Sequence, residues 1–428
     1  MRVLIVGSGG REHALAWKLR ASPLLGELHA APGNPGIATV AEVHEVAVDD
    51  HEGLTELAGR IAADLVVIGP EAPLVGGLAD RLQAAGIRAF GPNAAGARLE
   101  GSKAFAKSVM DEAGVPTARF TVCDTVAAAQ ACIAETGGRV VIKADGLAAG
   151  KGVFVCDSIA EADQAVRACL VEQRFGESGA RILIEERLDG LEASVLALCD
   201  GERVLPLAPA RDAKRALDGD QGPNTGGMGC VSPVPGLEGD ALAAVIEQVH
   251  EPVVRELARR GEPFRGCLYA GLMLTADGPR VLEFNTRFGD PESQAILPRL
   301  RGDLLAALDA CAGGSLADIE LAAGDDAAVS IVIAARGYPE APERGAVIDG
   351  LEAAEHVPGV TVFHAGTALE GGRLIAAGGR VLNVTAVGRH FAEARDRAYE
   401  ATAAVAMAGS HHRTDIGLAI VEQEHQHV

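Results

Sequence analysis

Within the first hundred residues, short apolar runs alternate with amphipathic stretches, and the runs close on glycine or proline. Arg2–Val6 reads as a strand, Arg11–Arg20 as a helix, Asp64–Ile68 as a strand, Pro73–Ala84 as a helix and Ile87–Phe90 as a further strand. Strands that are apolar without alternation belong to sheets covered by helices on both faces. The pattern therefore predicts a doubly wound, parallel-sheet α/β domain ending near Gly91-Pro92-Asn93. Such sheets bind ligands outside the carboxyl ends of their strands. That places Gly9 and Gly10 in the first loop, Asn34 in the second, and Pro70 and Glu71 in the third as substrate-facing candidates.

Past residue 101 the rhythm changes. Ser102–Glu112 reads as a helix stopped by Gly114-Val115-Pro116, and strands are expected at Arg139–Lys143, Val153–Cys156 and Arg181–Glu186 around a helix at Ile159–Glu172. A hairpin over Glu192–Leu207 turns at Asp200-Gly201, and a long polar loop runs from Arg211 to Gly229. A helix over Asp240–Arg260 precedes strands Cys267–Leu274 and Arg280–Asn285. The last hundred residues read as a smaller α+β unit with strands at Val329–Ala334, Val360–Phe363 and Arg380–Val387 and a helix from Phe391.

Charge narrows the function. With 38 basic and 59 acidic residues the chain carries a formal charge of −21, so a general grip on nucleic acid or an anionic membrane is excluded and any phosphate needs a local site. No apolar run is long enough to span a bilayer, and the N-terminal apolar stretch is too short for a signal peptide. Eight cysteines are scattered without a C-x-x-C pair, which reads as reduced thiols of a cytoplasmic protein and gives no zinc motif. The histidines of the tail, His425 and His427, are expected to be solvated.

Four segments carry the chemistry. Gly7-Ser8-Gly9-Gly10-Arg11-Glu12 opens a helix after a strand, as a phosphate loop does, with a plain turn as the competing reading. Glu12 stands where a dinucleotide fingerprint needs glycine. Lys143 ends a buried strand, where a lysine needs an anion, and leads into a loop with Gly146, Gly150, Lys151 and Gly152 that suits phosphate cover without matching a P-loop. Glu283 and Asn285 share one strand face, with Phe284 turned to the core, and offer two hard oxygen ligands for Mg²⁺. Arg287 follows, suited to a carboxylate or phosphate. The loop with Asp212 and Lys214 and the glycines from Gly222 to Gly229 suits a transferring phosphoryl group. Glu185 and Glu186 could present backbone to an adenine edge, and Glu192 a carboxylate to a ribose.

Together these blocks resemble the glycinamide ribonucleotide synthetase family of ATP-grasp ligases, over essentially the whole chain. The opening Gly7-Ser8-Gly9-Gly10-Arg11-Glu12-His13-Ala14-Leu15, Gly69-Pro70-Glu71, Lys143–Val153, Gly222–Gly229 and Arg287-Phe288-Gly289-Asp290-Pro291-Glu292 carry the likeness. The resemblance implies an N-terminal substrate domain over 1–101, an ATP-grasp core over 102–121 and 188–325, its lid over 122–187 and a C-terminal domain over 326–428. It implies ATP contacts from Lys103, Lys143, Glu185, Glu186, Leu188 and Glu192, and Mg²⁺ or Mn²⁺ at Glu283 and Asn285. Glycine and 5-phosphoribosylamine are the implied substrates, with the N-terminal loops and Asp290 near the amine, and Arg287, Asp212 and Lys214 near glycine and the moving phosphoryl group. The implied enzyme is a monomer that meets, at most transiently, the enzyme supplying the labile amine. Ala213 stands where the family carries a histidine or aromatic residue, Arg211 where it often has glutamine, and Cys230-Val231 where a small–aromatic pair is usual. Three other readings compete: a different ATP-grasp ligase or biotin-carboxylase-like enzyme, an NAD(P) oxidoreductase, and a non-catalytic nucleotide sensor.

Overall fold

The computed structural model describes residues 1–148 and 151–426. Its first unit is a five-stranded sheet of β1 (Arg2–Gly7), β2 (Glu27–Pro32), β3 (Glu42–Val43), β4 (Leu65–Ile68) and β5 (Ala89–Phe90), ordered β3-β2-β1-β4-β5 and parallel throughout. The chain winds outward from β1 to β3 and then crosses to β4, so the order reverses between β1 and β4. The loops after those two strands, Gly7–Gly10 and Gly69–Glu71, therefore flank the crevice where such sheets take ligands. Val3, Leu4, Ile5 and Val6 are all fully buried, as the unbroken apolar run required. The helix expected over Pro73–Ala84 is two helices, Glu71–Val75 and Leu78–Ala84, because Gly77 adopts φ 83 between them. Glu71 thereby becomes the first residue of a helix beside the crevice.

The central sheet pairs Leu191–Asp200 antiparallel with Arg265–Thr275 and is flanked by Val204–Pro206 and Gly278–Asn285. A separate antiparallel sheet is ordered Phe120–Cys123, Ile182–Glu186, Val140–Ala144, Val153–Cys156, backed by the helices Val126–Thr136 and Ile159–Val166. The C-terminal sheet holds Ala327–Ala334, Arg380–Gly388 and Val360–His364, together with Arg211–Asp212 and Gly229–Ser232. The segment Arg211–Gly229, expected as loop, thus supplies strands to a sheet otherwise built from the end of the chain. It also forms the hairpin Arg215–Leu217 with Gln221–Asn224. Strands of two to four residues with polar faces leave no apolar period to read. Among the described residues no helix is long and apolar enough to cross a membrane.

His250 lies fully buried under the central sheet, its Nε2 3.2 Å from the Val195 carbonyl, and burial lowers its pKa to about 4. The unfolded chain then binds a proton that the fold refuses. This contribution is complete above pH ~6.5 and is lost as pH falls toward 4, amounting to roughly 3 kcal/mol. Replacing His250 with glutamine should flatten acid unfolding between those pH values. Melting curves that keep the wild-type slope there would remove His250 as a cause.

Candidate active site

The strand Gly278–Asn285 carries the centre of the site. Val281 and Phe284 are buried in the core beneath the sheet, and Glu283 and Asn285 lie on the opposite face, as their spacing predicted. Burial would push the Glu283 carboxyl up, but Lys103, Lys143, Lys214 and Arg287 outweigh it and hold the group below its usual value. Glu283 accepts no hydrogen bond among the described residues. A deprotonated carboxylate with open lone pairs, beside the Asn285 amide oxygen, is a donor set of hard oxygens and fits Mg²⁺ or Mn²⁺. Lys103 opens the helix Lys103–Ala113 and faces this carboxylate. Its pKa is lowered, chiefly by burial, with Glu283 opposing and Lys143 adding to the fall.

Lys143, next to last in the strand Val140–Ala144, is 5% exposed and donates to Glu185 Oε2 at 3.0 Å and to the Leu282 carbonyl at 2.8 Å. The anion required by a buried lysine is thus partly supplied by the chain itself. Lys107 reaches the same Glu185 oxygen at 3.3 Å, and burial brings its pKa down to about 8. The second Glu185 oxygen is buried without a partner among the described residues, an open acceptor beside the two lysines. Glu186, one residue on, points the other way, and its carboxylate takes the Arg119 backbone N–H at 2.9 Å and Nε at 2.8 Å. Its side chain is therefore committed elsewhere, and only its backbone stays near the nucleotide candidates. Leu188 is half-buried in the link to the central sheet.

The loop after Lys143 is anchored at its base. Asp145 accepts from Ala104 N at 2.7 Å, Ser102 Oγ at 3.0 Å and Arg181 Nε at 2.9 Å, while Gly146 donates its N–H to Ser178 O at 3.1 Å. A Cβ on Gly146 would sit 2.6 Å from Ser178 Oγ, so packing requires the glycine here. Lys151 is exposed, Gly152 is buried, and Gly150 lies outside the described residues.

Arg287 joins this centre to the first domain. Its guanidinium contacts Glu100 at 3.0 Å, Glu71 at 3.3 Å and the Asn285 amide oxygen at 3.3 Å, and Arg11 lies 3.7 Å from Glu71. Burial opposes the charge on Arg287, but Glu100 and Glu71 more than restore it. Pro70 precedes this helix as its cap residue.

The loop after β1, expected to face a phosphate, holds carboxylates at its backbone donors. Gly9 N–H is donated to Glu12 Oε2 at 2.5 Å and Arg11 N–H to Asp290 Oδ2 at 3.1 Å. Two carboxylates occupy these donors, Glu12 with its pKa raised by burial and Asp290 with its pKa lowered, against burial, chiefly by Arg380 and Arg11. A Cβ on Gly10 would lie 2.4 Å from Gln294 Nε2, so that glycine serves packing. Asn34 is likewise saturated: Nδ2 donates to Ser8 O at 2.8 Å and His364 O at 2.9 Å, and Oδ1 accepts from Ile37 N at 2.9 Å. Its side chain shapes the loop and has no amide hydrogen left for a substrate.

The last group gathers around Lys214, which lies 3.0 Å from Asp212 and 3.6 Å from Glu192. Burial opposes the Lys214 charge, yet Asp212 and its neighbours hold its pKa well above the ordinary value. Burial raises the Glu192 carboxyl, with Lys214 opposing. Beneath them Glu292 accepts from Tyr269 Oη at 3.2 Å and Ser194 Oγ at 3.3 Å. Glu100, Lys107, Glu292 and Arg380 were not picked from the sequence. Arg380, from the C-terminal sheet, donates to the Asp290 carbonyl at 2.8 Å and to the Gly226 carbonyl. Lys107 alone had a signal, standing one helical turn after Lys103 on the same face.

Comparison with known proteins matches the three units in order. Residues 1–100, 101–293 and 328–419 match, in turn, the N domain, the ATP-grasp (A) domain and the C domain of phosphoribosylglycinamide synthetase. The chain is 50% identical over 424 residues to the phosphoribosylamine–glycine ligase of Brucella melitensis, covering 99% of both. It is 53% identical to that of Streptomyces coelicolor, covering 97% of this chain and 98% of the other. The crystal structure of phosphoribosylamine–glycine ligase from Thermotoga maritima superposes with a TM-score of 0.85 at 35% identity, covering 97% of this chain and 100% of that one. A biotin carboxylase domain from Hydrogenobacter thermophilus, 19% identical with a TM-score of 0.73 and covering 96% of this chain and 91% of its own, shares the fold. With all three domains matched in order and close relatives aligned from end to end, the chain belongs to the phosphoribosylglycinamide synthetase family.

Proposed function

We propose that the protein joins glycine to 5-phosphoribosylamine at the expense of ATP, forming glycinamide ribonucleotide, ADP and phosphate in purine biosynthesis. The observation that carries this reading is Arg287, which ties the metal-type strand to Glu71 in the crevice of the parallel sheet. It brings the nucleotide end and the amine end of a ligase into one cleft.

A carboxylate is a poor acyl donor. A glycine carboxylate oxygen first attacks the γ-phosphorus of ATP, the bond to the β-phosphate oxygen breaks, and ADP leaves. The amine nitrogen of phosphoribosylamine then attacks the carbonyl carbon of glycyl phosphate, expelling phosphate and losing a proton. Lys103 and Lys143 balance the charge on the triphosphate side, and Glu185, with its unpartnered oxygen, receives a donor from the nucleotide. Arg287 and Lys214 orient glycine and the moving phosphoryl group. Glu71, Pro70 and Asp290, with the Gly9–Gly10 backbone that Glu12 holds in place, line the wall facing the amine, and the acidic character of this wall suits hydroxyl and ammonium groups. Closure of the 145–152 loop excludes water from the acyl phosphate. When bound, Mg²⁺ or Mn²⁺ at Glu283 and Asn285 supplies Lewis-acid neutralisation of phosphate charge.

The proposed domains are 1–101, 102–121 with 188–325, 122–187 and 326–428, with Arg211–Asp212 and Gly229–Ser232 lending strands to the C-terminal sheet. Scattered free thiols support a cytoplasmic enzyme, acting as a monomer with only transient contact to the enzyme that makes its amine.

The test is ADP release with Mg-ATP, glycine and phosphoribosylamine generated in situ, each omitted in turn. ADP and glycinamide ribonucleotide appear in equal amount only with all three. Turnover with another carboxylate or amine instead overturns the assignment of substrates. Glu283→Gln should raise the Mg²⁺ needed for half-maximal rate more than about tenfold, since it removes the one charged ligand. An unchanged Mg²⁺ requirement would place the metal elsewhere.

A further inference from the structure

The edge of the N-terminal sheet carries a cluster that the ligase reaction does not use. Among the described residues, His29, Glu42 and His44 form the one group of His, Cys, Asp or Glu side chains whose ligand atoms all lie within 4.8 Å of each other. Strand register builds it. His29 of β2 stands opposite Glu42 of β3, and His44, two residues on, projects to the same face as Glu42. His29 Nδ1 is 3.0 Å from His44 Nε2 and 3.6 Å from Glu42 Oε2, His44 Nε2 is 3.9 Å from the other Glu42 oxygen, and one ligand atom from each residue lies within 4.8 Å of the other two. Ligand atoms on a tetrahedral Zn²⁺, each about 2.0–2.1 Å from the metal, are spaced by about 3.3 Å, so small side-chain adjustments bring these separations to the metal-bound value.

A second observation supports a ligand here. His29 is 5% exposed, and its other ring nitrogen, Nε2, is buried without a hydrogen bond and faces Glu27 Oε2 at 3.6 Å. If His29 gave its proton from Nδ1 to His44, its Nε2 lone pair would face that carboxylate. Protonation at Nε2 removes the repulsion and turns the Nδ1 lone pair toward His44 and Glu42. This is the carboxylate–histidine pairing that orients metal-binding imidazoles.

We propose that His29 Nδ1, His44 Nε2 and one Glu42 carboxylate oxygen bind a single Zn²⁺ ion, with water as fourth ligand. Two nitrogen donors and one oxygen suit zinc and not Mg²⁺, so this site is chemically distinct from Glu283 and Asn285. The ion clips the two-residue edge strand β3 onto β2 and closes the connection that carries Asn34 and Gly36 at the carboxyl edge of the sheet. Its effect is on the stability of that connection, with no part in acyl transfer.

The test uses the full-length protein freed of metal, with excess Mg²⁺ present to hold the oxygen site, titrated with Zn²⁺ against a chromophoric chelator. One equivalent should bind. His44→Ala and Glu42→Gln should each weaken that binding more than about tenfold. Co²⁺ in place of Zn²⁺ should give the visible absorption of a tetrahedral ion in the wild type and lose it in His44→Ala. Glu42 is 69% exposed at its side chain, so Glu42→Gln folds normally even where His44→Ala does not. Zn²⁺ affinity unchanged in both variants, as binding at the tail histidines would give, overturns the proposal, as does an absence of binding at micromolar Zn²⁺.

Discussion

Lys143→Met abolishes ligation while leaving the protein folded: kcat falls by about 10²–10³, with weaker binding of ATP. Lys143 stands 5% exposed between Glu185 and the Leu282 carbonyl, close enough to Glu283 to depress its carboxyl. A preorganised cation in a site shielded from water is worth far more to a developing phosphate charge than the same cation in solvent. Removing it leaves Glu185 paired to Lys107 at 3.3 Å, so the buried carboxylate keeps one counterion. The structural cost is then about 3 kcal/mol, that of the two hydrogen bonds from the charged group to Glu185 and the Leu282 carbonyl. Turnover and thermal unfolding measured together separate the two effects. A variant that melts close to wild type and turns over within a few-fold of it would remove Lys143 from the chemistry.

Arg287→Met has the second large effect, on stability as well as rate. Arg287 is the counterion of both Glu100 and Glu71, and the Glu100 side chain is only 6% exposed. Breaking one partner out of a buried pair costs about 3–5 kcal/mol, because the other charge is left without compensation. Glu100 can escape by taking a proton. Its pKa is already raised by burial against the pull of Arg287, and loss of the guanidinium raises it further. A folded pKa above the unfolded value means that the folded state holds the proton more tightly. The variant therefore recovers stability as pH falls through that raised value, and its deficit against wild type is largest at pH 8 and smaller near pH 5.5. Equal deficits at the two pH values, read from urea midpoints, would show that Glu100 does not depend on Arg287. The rate should also fall, by about 10²-fold, since the cleft loses the group that ties its two ends.

Local chemistry made much of this protein legible. The apolar run Arg2–Val6 lies in the centre of its sheet, and the alternation of Glu283, Phe284 and Asn285 gave their faces correctly because strand period is two. The position of Lys143 also followed, since a lysine ending a buried strand must find an anion. Other candidates could not be read from local chemistry. Glycines at 9 and 10 look alike whether they approach a phosphate or make room for Glu12 and Gln294. Asn34 looks like a ligand-binding amide until its three partners, one of them in the C-terminal domain, are in place.

By itself, then, the sequence determined the parallel first domain, the family and the strand that presents Glu283 and Asn285, because each depends on period, turn chemistry or an ordered set of short motifs. Only the tertiary structure decided which charges face one another. Arg287 meets Glu100 and Glu71, Arg380 reaches Asp290, and His29 meets His44 across neighbouring strands. Partners so far apart, or joined only by a strand register, leave no trace in local composition. Whether a polar group is free for a substrate or already spent within the chain is settled by that pairing alone.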